Sequence, residues 1–327
     1  MSETYLDAAP EGAQTADRPA RLPARDWLRA AMRAGAAVGE GNLTLVAAGC
    51  AFYALLALPP SFAALAALYG YVSDPADIAA HLDVLRDVAP PAAYEIIAQQ
   101  AEALRDAGRS TLGLASLGAL ALAVFSARAG VRALITGVGL AYREEDRRSF
   151  LMNLAVTYAL TAALVVLAAL TLSAVAGVPA VLAAVPLAPT AELFGQIVRW
   201  PIAAAALTAG LALLYRFGPA RRGAQLRWLT PGSVAALALW LAASGAFSIY
   251  LAEFGAYNET YGTLGAVAAL LMWFWLSALA ALFGAALNAE LELATSADTT
   301  VGAARPMGRR RAFAADHVAA RAEGAEA

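Results

Sequence analysis

Apolar residues along this chain fall into six long blocks, at about 43–71, 112–140, 150–176, 197–217, 232–254 and 261–289, separated by polar stretches. In the second block the apolar run ends at Ala127, and the helix is expected to continue as a cytoplasmic extension with Arg128 and Arg132 at or below the interface. At about 1.5 Å of rise per residue, each block is long enough to cross the roughly 30 Å hydrocarbon layer of a bilayer as a helix. Helix is the required form because lipid offers no partner to an open backbone N–H or C=O. The pattern predicts an all-α polytopic membrane protein with six transmembrane helices.

Between the first two blocks, residues 73–110 carry seven acids against three arginines. Ile78, Leu82, Leu85 and Val88 follow one helical spacing, and Tyr94, Ile97, Ala101 and Leu104 follow another after Pro90-Pro91. Two amphipathic helices in an extracytoplasmic loop are the expectation. Residues 1–41 predict a cytoplasmic tail, disordered to about Asp26 and followed by a short helix from Trp27 to Gly39. That helix has an arginine face and an apolar face and lies on the membrane surface, unless the whole segment is a flexible tail. Residues 42–294 form the membrane domain, and the Ala-, Arg- and Gly-rich segment 295–327 predicts a disordered cytoplasmic tail.

Polar and helix-breaking residues inside the blocks refine the picture. Pro59-Pro60 remove two N–H donors from the first block and predict a kink or break, either a midplane site or a simple packing kink. The third block holds Asn153, Thr157, Tyr158, Thr161, Thr171 and Ser173, able to bond across helices. Residues 177–190 contain Pro179, Pro186 and Pro189 and no charge, which suits an interfacial loop or a re-entrant piece. Pro201 suits the first turn of the fourth span, and Ser244, Gly245 and Ser248 form a small-residue strip on the fifth.

Charge sets the topology. All 23 basic residues are arginine. Five lie in the amino-terminal tail, five from Arg128 to Arg148, four from Arg216 to Arg227 and five after the last block, leaving Arg86, Arg105, Arg109 and Arg199 for the other side. By the positive-inside rule both termini are expected in the cytoplasm. Without lysine, Schiff-base and P-loop chemistry are excluded. The one cysteine, Cys50, forms no intrachain disulfide and reads as a packing residue. His81 and His317 fall on opposite sides of the membrane, so no catalytic or metal-binding constellation can be assembled from them, and no cofactor is expected. Arg309-Arg310-Arg311, just beyond a span, is read as touching anionic lipid rather than nucleic acid.

Several stretches carry a resemblance. Tyr261-Gly262 opens the last span, Trp273-Phe274-Trp275 occupies its middle and Gly284, Asn288 and Glu290 close it in a Gly-x-x-x-Asn-x-Glu pattern. With SARAGVRALITGVGLAYREEDRRSFL from Ser126, YRFGPARR from Tyr215, Trp228, Pro231-Gly232 and the first-span segment Ala51 to Pro59, they resemble the bacterial YihY/BrkB family, formerly labelled ribonuclease BN-like. The resemblance implies a six-span inner-membrane protein whose molecular activity is poorly defined.

Candidate substrate or lipid contacts are Tyr53, Pro59 and Pro60 in the first span, Arg128 and Arg132 in the second and Asn153 in the third. Asn258, Tyr261 and Gly262 join them at the outer entry of the sixth span, and Asn288 and Glu290 at its inner end, where pairing with Arg128 or Arg132 is expected. With no Asp or Glu expected at mid-depth, an ion-coupled pump fits poorly and a lipid or amphipathic cargo fits better. The expected role is envelope maintenance by transporting or handling such a molecule, without enzymatic activity. Membrane lipids are the expected partners, and a homo-oligomer or an envelope protein partner is left open. The alternative is a non-transporting scaffold or assembly factor.

Overall fold

A computed structural model describes residues 5–6, 15–40, 42–72, 109–172, 189–253 and 263–319. Its helices in chain order are α1 (Ala24–Glu40), α2 (Leu43–Val72), α3 (Arg109–Ala141), α4 (Phe150–Leu172), α5 (Pro189–Phe217), α6 (Leu226–Glu253), α7 (Thr263–Glu292) and the single turn α8 (Phe313–Asp316). A two-residue strand β1 (Tyr5–Leu6) pairs antiparallel with β2 (Val318–Ala319). Six helices, α2 to α7, are long and apolar enough to cross a membrane, matching the six blocks. Large apolar side chains such as Leu170, Ile249 and Phe150 stay exposed on them, as helices solvated by lipid require.

The chain divides into two compact units. In the unit Phe52–Gly130, Tyr53 meets Phe52 edge to face at 5.5 Å, and a methyl group added at Gly130 would lie in ordinary contact with the Tyr53 Cβ at 3.7 Å. Here α2 stays continuous through Pro59 and Pro60, so the expected break is absent. Leaving the helical path would open further carbonyls to lipid, a larger penalty than the two bonds the prolines forgo.

The other unit joins Met1–Ala51 to Val131–Ala327. Here α7 packs between α1 and α6, α6 meets α5, and α5 meets α4. The α6–α7 crossing is very close, because a Cβ at Gly232 would fall on the Gly284 carbonyl and one at Gly284 on the Gly232 carbonyl. Nothing lies within 4 Å of a Cβ built at Gly245, so the small residues that matter on α6 are Gly232 and Ala236 rather than the expected strip. Ser244 nonetheless accepts a bond from the Trp273 indole N–H, while Ser277 accepts one from Trp240.

Two helix starts lie further upstream than the sequence pattern implied. Pro189 opens α5, so Pro201 is interior rather than in the first turn. Leu226 opens α6 with Pro231 inside it. The amphipathic helices expected in 73–108, the segment 177–188, and Asn258, Tyr261 and Gly262 lie outside the described residues.

Within the described residues, 15–40 and 295–319 are held by packing and hydrogen bonds, where composition implied disorder up to about Asp26 and from 295 onward. From the amino-terminal side, Ala16 and Leu22 are buried, and α1 sets Asp26, Ala30 and Ala34 inward. Residues 295–319 form a lid around Arg310, whose guanidinium donates to the carbonyls of Ser296, Ala297, Arg305 and Ala315. Asp298 accepts from the N–H groups of Thr300 and Arg305. Burial pushes its carboxyl up, but the Thr300 hydroxyl, which donates to it at 2.7 Å, those N–H groups and Arg310 outweigh it, and it ionises below the usual range. Polar composition hid the lid because its interior is hydrogen-bonded rather than apolar.

Candidate functional site: a carboxylate and arginine cap

Helix α3 ends in a Schellman turn, with Glu144 N bonded to Gly139 O and Arg143 N to Leu140 O. Arg143 holds the left-handed position, φ 56°, where glycine is usual. That backbone carries its guanidinium to Glu290, at 2.6 Å from Oε1, while Arg33 of α1 reaches Oε2 at 2.7 Å. Buried Glu290 therefore ties together α1, the α3–α4 turn and α7.

Two residues on, Glu292 is held by Arg221 through two parallel bonds, Nη2 to Oε1 at 2.7 Å and Nη1 to Oε2 at 3.2 Å, both side chains fully buried. Thr299 of the lid donates to Oε2 at 2.7 Å. The Arg221 guanidinium also lies 4.1 Å over the Tyr142 ring. Burial alone would make Arg221 easier to deprotonate, but the Glu292 charge and hydrogen bonds, together with Tyr142 and Glu144, outweigh it and keep the guanidinium ionised. Burial pushes the Tyr142 hydroxyl well above its ordinary range. Glu144, which accepts the Phe313 N–H at 2.6 Å, is likewise raised, chiefly by burial.

Asn288 completes the cap. Its Oδ1 accepts the Gly232 N–H at 2.7 Å and its Nδ2 donates to Leu229 O at 3.0 Å. At the α5 exit, Arg148 donates to the carbonyls of Phe217, Gly218 and Pro219, the acceptors a helix end leaves open.

The predicted site residues are thus sorted. Asn288 and Glu290 meet in the cap, but the recorded partners of Glu290 are Arg33 and Arg143. Arg132 instead donates to Asn153 at 3.0 Å, and Asn153 in turn donates to Asp146. Arg128, Tyr53, Pro59 and Pro60 belong to the other unit. Arg310 is buried inside the lid, so the three-arginine run does not form one continuous exposed patch.

Arg33, Arg143, Arg148, Arg221 and Glu292 escaped the sequence reading. Two signals pointed to them: a Glu-x-Glu close to an apolar helix, which needs buried cations, and the loop from Arg216 to Arg227, which has arginines and no acid. In the 143–148 turn, Arg147 and Glu145 form a locally paired, solvated contact at 2.9 Å. No group of three or more potential metal ligands occurs among the described residues.

Six helices long and apolar enough to cross a membrane define a polytopic α-helical membrane protein. The chain belongs to the family described as virulence factor BrkB, whose model matches residues 35–307. Over 246 residues it is 30% identical to the ribonuclease-like protein YfkH of Bacillus subtilis strain 168, covering 74% of this chain and 87% of that one. Shorter matches, 35% identical over 81 residues, reach UPF0761 membrane proteins of Xanthomonas campestris pv. campestris strain B100 and Xanthomonas axonopodis pv. citri strain 306. Those cover 25% of this chain and 19% of each relative. No solved structure matches.

Proposed function

We propose that this is an inner-membrane protein with its cap in the cytoplasm, which handles a lipid or another amphipathic molecule for envelope maintenance. The orientation rests on the arginine distribution, nineteen of 23 falling in residues 1–41, 128–148, 216–227 and 295–327. The handling role is carried by one observation. Asn153, Thr157 and Thr161 stand four residues apart on α4, forming a polar stripe that rises from the Arg132–Asn153–Asp146 chain into the buried side of the helix. Each threonine hydroxyl donates to the carbonyl four residues back, at 2.7 and 2.8 Å, leaving its oxygen able to accept. A headgroup would enter at the exposed Arg132–Asn153–Asp146 chain, its acyl chains against exposed neighbours such as Leu151 and Met152, and would reach Thr157 and Thr161 as the packing that buries them opens.

The sealed cap favours a second reading, a scaffold or assembly factor that moves nothing. One experiment separates the two. Purified protein in liposomes is assayed with a headgroup-labelled lipid whose outer-leaflet signal is chemically quenched, beside empty liposomes and an Arg132→Gln, Thr157→Val double variant. Quenching beyond the outer-leaflet fraction, reduced in the variant, supports lipid handling along α4. Folded protein giving no excess quenching with any of several headgroups sinks that reading and leaves the scaffold.

A further inference from the structure

Helix α1 has a face that the protein does not cover. Its inward side, Asp26, Ala30 and Ala34 at spacing four, is buried and packs toward α7. The opposite side presents Arg25, Leu28 and Met32, with Leu28 63% and Met32 59% exposed. Arg29 flanks them, its side chain 37% exposed and 3.9 Å from Asp26.

The position of α1 decides what meets this face. Arg33 pairs with Glu290, two residues before the end of α7. At its other end, Val38 O accepts the hydroxyl of Thr44, the second residue of α2. Thr44 O in turn accepts the Trp275 indole N–H. Helix α1 therefore runs from beside the last turn of α7 to the first turn of α2, with Trp275 reaching Thr44 from the middle of α7, and those two helix ends are where hydrocarbon gives way to headgroups. Exposed Leu45, Phe150 and Leu226, in the first turns of α2, α4 and α6, mark the same boundary. At that level two large apolar side chains with arginines and no carboxylate beside them on the face match the chemistry of an anionic leaflet.

We propose that α1 is an interfacial lipid-binding helix, with Leu28 and Met32 seated among the upper acyl chains and Arg25 and Arg29 holding the phosphates of anionic phospholipid. Arg33, one turn further along, faces Glu290 and takes no part.

The test uses the full chain in nanodiscs of phosphatidylcholine, with and without phosphatidylglycerol. In a Cys50→Ala background, an environment-sensitive fluorophore is attached through Leu28→Cys, Met32→Cys or, as a solvent control, Arg305→Cys. Blue-shifted emission at 28 and 32, quenched by brominated acyl chains, with neither effect at 305, is the expected result. The Arg25→Gln, Arg29→Gln variant should lose preference for phosphatidylglycerol in native mass spectrometry, by about five-fold for each arginine. Emission at 28 and 32 matching that at 305, without quenching, would overturn the proposal. So would a blue shift insensitive to brominated lipid: lost in discs holding one copy, it assigns the face to a second protomer, and retained there, to the protein's own interior.

Discussion

The side-chain oxygen of Asn288 accepts the backbone N–H of Gly232 at 2.7 Å, joining α7 to α6 one residue past a proline inside the helix. Pro231 brings no N–H to the first turns of α6, and the next residue, Gly232, directs its N–H out of the helix to α7. Asn288 Nδ2 closes the exchange on Leu229 O. A carboxamide supplies both the acceptor and the donor that the site needs. Replacement by leucine strands the buried Gly232 N–H, at about 1–3 kcal/mol, while Leu229 O keeps the Ser233 hydroxyl and loses only its second donor. Asn288→Leu should therefore lower the thermal midpoint of the detergent-solubilised protein markedly. Asn288→Asp should lower it further, because it removes the donor and adds a buried charge.

Gly232 and Gly284 permit the backbone approach that Asn288 exploits. Gly284→Ala should destabilise the protein, because its methyl group would meet backbone of α6, Tyr215 Oη at 2.5 Å and Ala236 Cβ at 2.8 Å. At Gly245 nothing stands within 4 Å of the new methyl group, and alanine is the better helix former. Gly245→Ala should leave the thermal midpoint unchanged or slightly raised, and equal losses at both positions would contradict the described crossing.

Arg221 and Glu292 are a fully buried pair, so removing one partner leaves the other as an uncompensated charge. Glu292→Leu alone is expected to destabilise by about 3–5 kcal/mol. The double variant Arg221→Met, Glu292→Leu should lose clearly less than the two single losses added together. A double-mutant cycle followed by thermal or denaturant unfolding reads the difference.

Glu144 gives a pH dependence of defined sign. Its carboxyl ionises above the usual value of 4.5, chiefly because of burial, so the folded state binds this proton more tightly than the unfolded chain does. Its contribution to stability is fully present below 4.5 and is lost as the pH rises through the raised folded value. Glu144→Gln keeps an acceptor for the Phe313 N–H and cannot ionise. The variant should match the wild type near pH 4.5 and become relatively more stable toward neutral pH. A stability gap constant across that window would exclude Glu144 as its source.

The lid predicts a protease pattern. Arg310 is buried among four carbonyls, whereas Arg309 and Arg311 beside it are exposed. Trypsin should cut the folded protein slowly in 305–311, and Arg310→Gln should speed cleavage there several-fold, since charged hydrogen bonds contribute about 1.5–3 kcal/mol each. Cleavage at one rate in both proteins would return the segment to the flexible tail that composition implied.

Lipid is the reason so much of the architecture was legible in the chain alone. A helix crossing hydrocarbon must satisfy its own backbone and present apolar side chains over about twenty consecutive residues, conditions written within one segment. The six blocks and the helices α2 to α7 agree for that reason. Arginine sorting is legible too, since a loop carries its own charge. Partner choice is a different kind of information. Arg33 and Glu290 are 257 positions apart, Arg143 and Glu290 147, and Arg221 and Glu292 71, and no spacing rule links them. The same holds for Gly232 and Gly284, significant only because two helices cross there, and for the lid, whose order comes from carbonyls converging on Arg310 rather than from apolar sequence. Sequence by itself determined which segments enter the membrane, because that depends on solvent. Tertiary structure decided which buried charge meets which, because a desolvated carboxylate takes whichever cations the packed helices bring within reach.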